Sequence, residues 1–132
     1  MEIVSHVDRA PRFGAISAFV LAEIGNPALC LADIAAHQSI STSYVRKLFA
    51  AQRTTFTKYV LDVRLRNVAS LLTDPDTRGR AISGIAASCG FNDVSYFNRV
   101  FRKRYGCTPS DMRRGRMPVP NTVSVQFDPL NG

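Results

Sequence analysis

The segment IAAHQSISTSYVRKLF at 34–49 returns as IAASCGFNDVSYFNRVF at 85–101. Both copies begin Ile-Ala-Ala and reach a small residue four positions after the first Ala, Ser39 in one and Gly90 in the other. The second copy has one residue inserted after that turn. Beyond it Ser43-Tyr44 meets Ser95-Tyr96, Val45 meets Phe97, and Leu48-Phe49 meets Val100-Phe101. A short helix, a tight turn through a small residue and a second helix make a helix-turn-helix pattern. One such match is weak. Two, offset by about 51 to 52 residues, restrict the chain to a fold that holds two of these units.

The rest of the chain agrees with an all-helical fold, since no stretch before residue 120 alternates as a strand does. Pro11 is placed to start a first helix, and Gly25-Asn26-Pro27 to stop it. A short helix is expected over about 31–37, then a third over about 42–52 with Ser41 or Thr42 as N-cap. Thr54 or Thr55 caps a long fourth helix over about 56–73, which Pro75 ends because it disfavours helix at Asp74 and donates no backbone hydrogen bond. A fifth helix starts near Ile82. A sixth covers about 93–104, with Asn92 and Asp93 competing as its N-cap. Thr108 caps a seventh, with Pro109 at its first position.

The fourth helix is apolar along two stripes, one through Phe56, Tyr59, Val60 and Val63, the other through Leu61, Leu65, Val68 and Leu72. Such a helix is buried on two sides. It is either the centre of one bundle or a strut between two small ones, about 27 Å long for about 18 residues. The expected layout is all-α: two helix-turn-helix subdomains at 13–54 and 75–116, a linker helix at 55–74, an N-terminal extension at 1–12 and a tail at 117–132. The tail carries two early prolines and a short alternating TVSVQF. It reads as a loose end or as a strand that docks elsewhere.

Charge narrows the function. Seventeen Lys and Arg against ten Asp and Glu give a net +7 and a pI near 9.9. That excess favours a polyanionic partner, nucleic acid or an anionic membrane surface. Cys30, Cys89 and Cys107 form no Cys-x-x-Cys, and His6 and His37 stand alone, so neither a zinc nor a redox motif is written here. No metal or other cofactor is expected. Unpaired thiols fit a reducing cytoplasm. The apolar run AISAFVLA at 15–22 is too short to span a bilayer and lacks a clear cleavage site, so it reads as a buried helix.

Taken at 100° per residue, the second helix of each repeat has a core side and an outer side. Val45, Leu48, Phe49, Phe97, Val100 and Phe101 fall on the core sides. The outer sides carry Ser43, Arg46, Lys47 and Ala50 in one copy and Ser95, Asn98, Arg99 and Arg102 in the other. They hold hydroxyl, amide and cationic groups without a carboxylate, whereas a merely solvated face mixes signs. Arg, Lys and Asn supply the donors that read guanine and adenine edges in the major groove.

The run GFNDVSYFNRVFRKRYGCTPSDMRR resembles the signature of the AraC/XylS family of bacterial transcription regulators. The elements are Gly90-Phe91, Phe97 and Phe101 with Arg102, Gly106, Thr108-Pro109 and Arg113, and the likeness covers about residues 13 to 115. The resemblance implies seven helices and two reading units. It implies base contacts from Ser43, Arg46, Lys47, Ser95, Asn98 and Arg99. It also implies sugar or phosphate contacts from Thr42, Tyr44, Tyr96, Arg102 and Lys103, with Asp93 structural. Double-stranded DNA and RNA polymerase are the implied partners, with no membrane. The DNA-binding domain is expected to be monomeric, and the full-length protein to dimerise through an N-terminal domain. The opening MEIVSHVDRAPRF reads as the end of a linker, which favours a C-terminal piece of a longer regulator over a stand-alone member. One departure stands out: Ser39 replaces the glycine many members have at a position that often needs left-handed backbone.

The sequence also bears on two other classes. An enzyme needs a paired base and nucleophile, a phosphate loop or a metal set, and the sequence offers none. DNA-repair proteins with a related domain need a zinc cluster of cysteines, also missing. A DNA-binding module without specificity remains the third class, separable by its salt dependence and by a scrambled competitor.

Overall fold

The computed structural model describes residues 2–115, with side chains from Arg12 onward. Within them the chain forms seven α-helices and no strand: α1 (Glu2–Glu23), α2 (Leu31–Gln38), α3 (Thr42–Ala51), α4 (Phe56–Leu72), α5 (Ile82–Ser88), α6 (Val94–Tyr105) and α7 (Pro109–Arg113). A 3₁₀ turn, Pro75–Thr77, sits between α4 and α5. The expected loop after α4 is therefore partly ordered. The Thr77 hydroxyl donates to the Leu71 carbonyl and to the Asp74 carbonyl, the latter at 2.9 Å.

Caps explain most of the boundaries. Ser41 Oγ accepts from the Tyr44 amide at 3.0 Å and starts α3; Thr55 Oγ1 accepts from the Lys58 amide at 3.2 Å and starts α4. Between Asn92 and Asp93, Asp93 is the cap of α6, accepting from the Tyr96 amide at 3.1 Å. Thr108 and Asp111 form a reciprocal capping box around the first turn of α7. Each of these side chains satisfies an amide that the first helical turn leaves without an intrahelical partner.

One boundary differs. α1 begins at Glu2 instead of Pro11, and residues 2–12 form the first half of a 22-residue helix. In the sequence Pro11 signals a first helical position. A proline inside a helix forfeits one hydrogen bond and clashes one turn back, yet is not an absolute stop. The tail expected at 117–132 lies outside the described residues.

Two cores share one helix. The first gathers Ile16, Val20 and Ile24 of α1 and its end, Ile34 of α2, Val45, Leu48 and Phe49 of α3, and Val60 and Val63 of α4. The second gathers Leu65, Val68 and Leu72 of α4, Ile85 of α5, Phe97 and Phe101 of α6, and Met112 of α7. The strut alternative is the one the packing adopts: α4 changes cores between Val63 and Leu65. Phe49 anchors the first core through edge contacts with Phe13 at 5.2 Å and Phe56 at 6.0 Å. Phe97 anchors the second through tilted contacts with Phe91 at 5.0 Å and Phe101 at 5.7 Å. Such offset geometries are favoured because ring edges are positive and ring faces negative. Of the six residues expected to be core, five are buried and Val100 is only half-buried.

Candidate nucleic-acid interface

The second helix of each unit is held from below by its aromatic core residues and stopped at its start by a cap. What remains outside is a strip of polar side chains. On α3, Ser43, Arg46 and Lys47 are exposed, and Thr42 is half-buried. On α6, Ser95, Asn98, Arg99, Arg102 and Lys103 are exposed. Arg46, Lys47, Arg99, Arg102 and Lys103 form no ion pair among the described residues. An unpaired cation on a folded face costs little in water and remains available to a phosphate or a base edge.

The neighbouring cations do something else. Arg104 is turned back onto α4, with Nε and Nη2 at 3.2 and 3.1 Å from Asp62 Oδ1. Arg113 donates to the Arg80 carbonyl at 2.8 Å and to the Thr77 carbonyl at 3.1 Å, which ties α7 to the loop before α5. The arginine that closes the sequence signature is thus structural. On α6, Arg99 lies 5.3 Å from the centroid of the Tyr96 ring, a cation–π distance that orients the guanidinium without neutralising it.

The two tyrosines part ways. Tyr96 is exposed beside Ser95, as a sugar or methyl contact requires. Tyr44 packs half-buried on the first core, and its hydroxyl is enclosed with no hydrogen-bond partner among the described residues. A sugar or methyl contact from Tyr44 falls to the exposed part of its ring, since the hydroxyl is enclosed. Its position on the core side follows from Leu48 and Phe49 one turn on.

A groove of about 470 Å³ runs beside α6. Asn98 and Arg102 form one wall, and the starts of α5 (Ser83) and α7 (Thr108, Ser110) form the other. Amides at helix starts and an unpaired arginine suit an anionic strand. Val94 was not singled out in the sequence. It is 54% exposed at the first residue of α6, an apolar side chain beside Ser95. It occupies the place of Thr42 in the first repeat, and that correspondence was the available signal.

The buried thiols take no part. Burial pushes both Cys89 and Cys107 above the ordinary thiol range, with the Asp111 carboxylate adding to the effect at Cys107. No group of His, Cys, Asp and Glu among the described residues is arranged to hold a metal ion. No described helix is long and apolar enough to cross a membrane.

Two helix-turn-helix units, each presenting a cationic helix face without a carboxylate, define a nucleic-acid-binding domain. Comparison with known proteins gives the particular kind. Residues 34–115 match the family described as "Helix-turn-helix domain". The transcriptional activator RhrA of Rhizobium meliloti is 41% identical over 103 residues, covering 78% of this chain and 32% of that protein. A crystal structure of an AraC-type transcriptional regulator from Chromobacterium violaceum superposes with a TM-score of 0.72 at 27% identity, covering 80% of this chain and 92% of the other. A DNA-binding transcriptional dual regulator from Escherichia coli K-12 gives 0.68 at 28% identity, covering 76% and 92%. The chain belongs to this family: it is the helix-turn-helix DNA-binding domain of an AraC-type bacterial transcription regulator. It spans about a third of the length of the relatives it matches.

Proposed function

We propose that this domain reads double-stranded DNA as a single chain, with α3 and α6 entering successive major-groove segments on one side of the duplex. The observation that carries the reading is the pair of carboxylate-free helix faces on one strut. Half-sites on one face of B-DNA lie about 34 Å apart. A 17-residue α4 gives about 26 Å of strut before the width of the two bundles is added. The two faces differ in residues, so the site need not be a palindrome.

On this reading 13–54 and 75–116 act as readers and 55–74 as the strut. Ser43, Arg46 and Lys47 face bases in one segment, and Ser95, Asn98 and Arg99 face them in the other. Thr42, Tyr96, Arg102 and Lys103 meet the backbone. Val94 adds an apolar surface suited to a thymine methyl group. RhrA is named a transcriptional activator; by analogy this domain works in the cytoplasm within a longer regulator that activates by engaging RNA polymerase. A dimerising domain elsewhere in that regulator leaves the DNA-binding domain monomeric.

The test is selection from a random duplex library at physiological salt. Two enriched motifs about one helical turn apart are expected. One enriched motif would mean that a single unit reads bases. Uniform enrichment with binding that vanishes in salt would mean non-specific attraction only.

A further inference from the structure

We propose that Arg64 is a positioning residue for DNA reading: it locks the turn of the second helix-turn-helix unit against the end of α1, and so fixes how α6 stands relative to α3. The inference rests on the two-reader function proposed above and names the part of the molecule that sets the spacing.

Two small cores joined only by a helix would be free to bend and twist about it. Arg64 lies at the changeover, between Val63 of the first core and Leu65 of the second. Its side chain does not go to a carboxylate. Nε donates to the Ile24 carbonyl at 3.1 Å, and Nη2 donates to the Asn26 carbonyl at 2.8 Å. These carbonyls stand just past the C-terminus of α1, where the helix dipole leaves partial negative charge and the last carbonyls lack intrahelical donors. The planar fork of a guanidinium suits two acceptors at once in a way an ammonium does not.

The second unit closes on the same spot. Gly90, in the turn between α5 and α6, has φ +102°, and a Cβ placed there would lie 2.3 Å from the Ile24 carbonyl oxygen and 2.4 Å from Arg64 Nε. Gly25 answers from the other side: a Cβ on it would lie 2.9 Å from the Ser88 carbonyl oxygen. Two glycines, one in each unit, thus let backbone meet backbone across the guanidinium. Three segments converge there: the end of α1, the middle of α4 and the turn that launches α6. Arg64, Gly90, Asn92 and Tyr96 line one groove, so the junction continues into the first turn of the reading helix.

Rigidity here has a functional consequence. When two readers share a chain, the second binds at an effective concentration set by how well the joint holds the correct span. A loose joint lowers affinity for the two-motif site and widens the range of spacings it accepts, without altering either reader alone.

The experiment uses Arg64→Met, which keeps bulk and removes both donors, and Arg64→Lys, which keeps one. Spin labels go on Ala36→Cys and Asp76→Cys, exposed positions in the two units, with Cys30→Ser to remove the exposed native thiol. Wild type is expected to give one narrow distance distribution, Arg64→Met a broad one, and Arg64→Lys an intermediate. In parallel, affinity is measured for the selected two-motif duplex, for duplexes with base pairs inserted between the motifs, and for each motif alone. Arg64→Met is expected to lose about tenfold on the two-motif duplex, to flatten the spacing dependence and to leave single-motif binding within about twofold. A distribution as narrow in Arg64→Met as in wild type, or broad in both, overturns the proposal. So does an equal loss on single motifs, which would make Arg64 a DNA contact or a simple fold determinant. If selection yields only one motif, the two-reader function fails, while the label distances still decide whether Arg64 holds the joint.

Discussion

Asp62 on α4 holds two arginines with its two oxygens: Oδ1 accepts both Nε and Nη2 of Arg104 from α6, and Oδ2 lies 3.1 Å from Nε of Arg66 one turn along the same helix. Asp62 and Arg104 side chains are 22% and 32% exposed, whereas Arg66 is more than half exposed. The Arg104 contact joins the strut to the second reader; the Arg66 contact is a surface pair. Arg104→Met is expected to lower stability by about 1–2 kcal/mol, within the range of a charge-assisted, partly shielded pair, and Arg66→Met by less than about 0.5 kcal/mol. Urea melts combined in a double-mutant cycle with Asp62→Asn give the coupling directly. Equal effects at the two arginines would contradict the assignment.

The two reading faces make different predictions for base and backbone contacts. Arg99→Ala is expected to cost about 1–3 kcal/mol on the selected site and to relax preference at one base position. Lys103→Ala is expected to weaken binding to any sequence alike and to reduce the slope of log K against log salt by about one unit. Titrations of both variants against selected and scrambled duplexes at several salt concentrations separate the two. An Arg99→Ala protein with unchanged site preference would remove α6 from the base-reading role.

The shared strut sets the reach of core mutations. Phe101 is fully buried among Phe97, Tyr105 and the second half of α4. Phe101→Ala is expected to cost about 3–5 kcal/mol through lost burial and the cavity left behind. Because α4 changes cores between Val63 and Leu65, the loss should fall on the second unit first. Hydrogen exchange is expected to speed up in α5 to α7 more than in α2 and α3. Uniform acceleration would mean that the two cores unfold as one.

Local signals are legible in the sequence. Ser41, Thr55, Asp93 and Thr108 cap where short-range chemistry says they should, and the outer faces of α3 and α6 follow from helical spacing alone. What the sequence hid is long-range. Arg104 finds Asp62, and Arg64 finds Ile24, across 42 and 40 residues, and nothing nearby distinguishes these arginines from Arg99 or Arg102. Tyr44 looked like Tyr96 by repeat alignment, yet its hydroxyl is enclosed while Tyr96 stays exposed. The internal Pro11 looked like a helix start because a sequence window cannot show whether the turn before it is helical.

Thiol chemistry gives a third, independent check on the fold. Cys30 is exposed, while Cys89 and Cys107 are buried and held toward the protonated thiol by loss of solvation. Among thiols the thiolate is the nucleophile. At neutral pH one thiol is expected to react promptly with a disulfide reagent, and two only as the second core opens. Three equally fast thiols in the folded protein would contradict the packing of Cys89 and Cys107.

The same position of the repeat should respond in opposite ways in its two copies. Ser39 has φ 58° and ψ 44°, left-handed backbone that a residue with a Cβ adopts at a cost, and it is exposed. A glycine there relieves that cost but adds freedom to the unfolded chain. The net expectation for Ser39→Gly is a gain of about 0.5 kcal/mol with DNA binding unchanged. Gly90 also has positive φ, at 102°, but a Cβ there would lie 2.3 Å from the Ile24 carbonyl oxygen, backbone that cannot swing aside as a side chain tip can. Gly90→Ala therefore has to push the second turn away from α1 and Arg64. A loss of at least about 2 kcal/mol is expected, from backbone strain together with the broken packing. Thermal melts of the two variants decide it. If Gly90→Ala were as mild as Ser39→Gly, the two units would not be in backbone contact, and the turn glycine would serve local geometry alone in both copies.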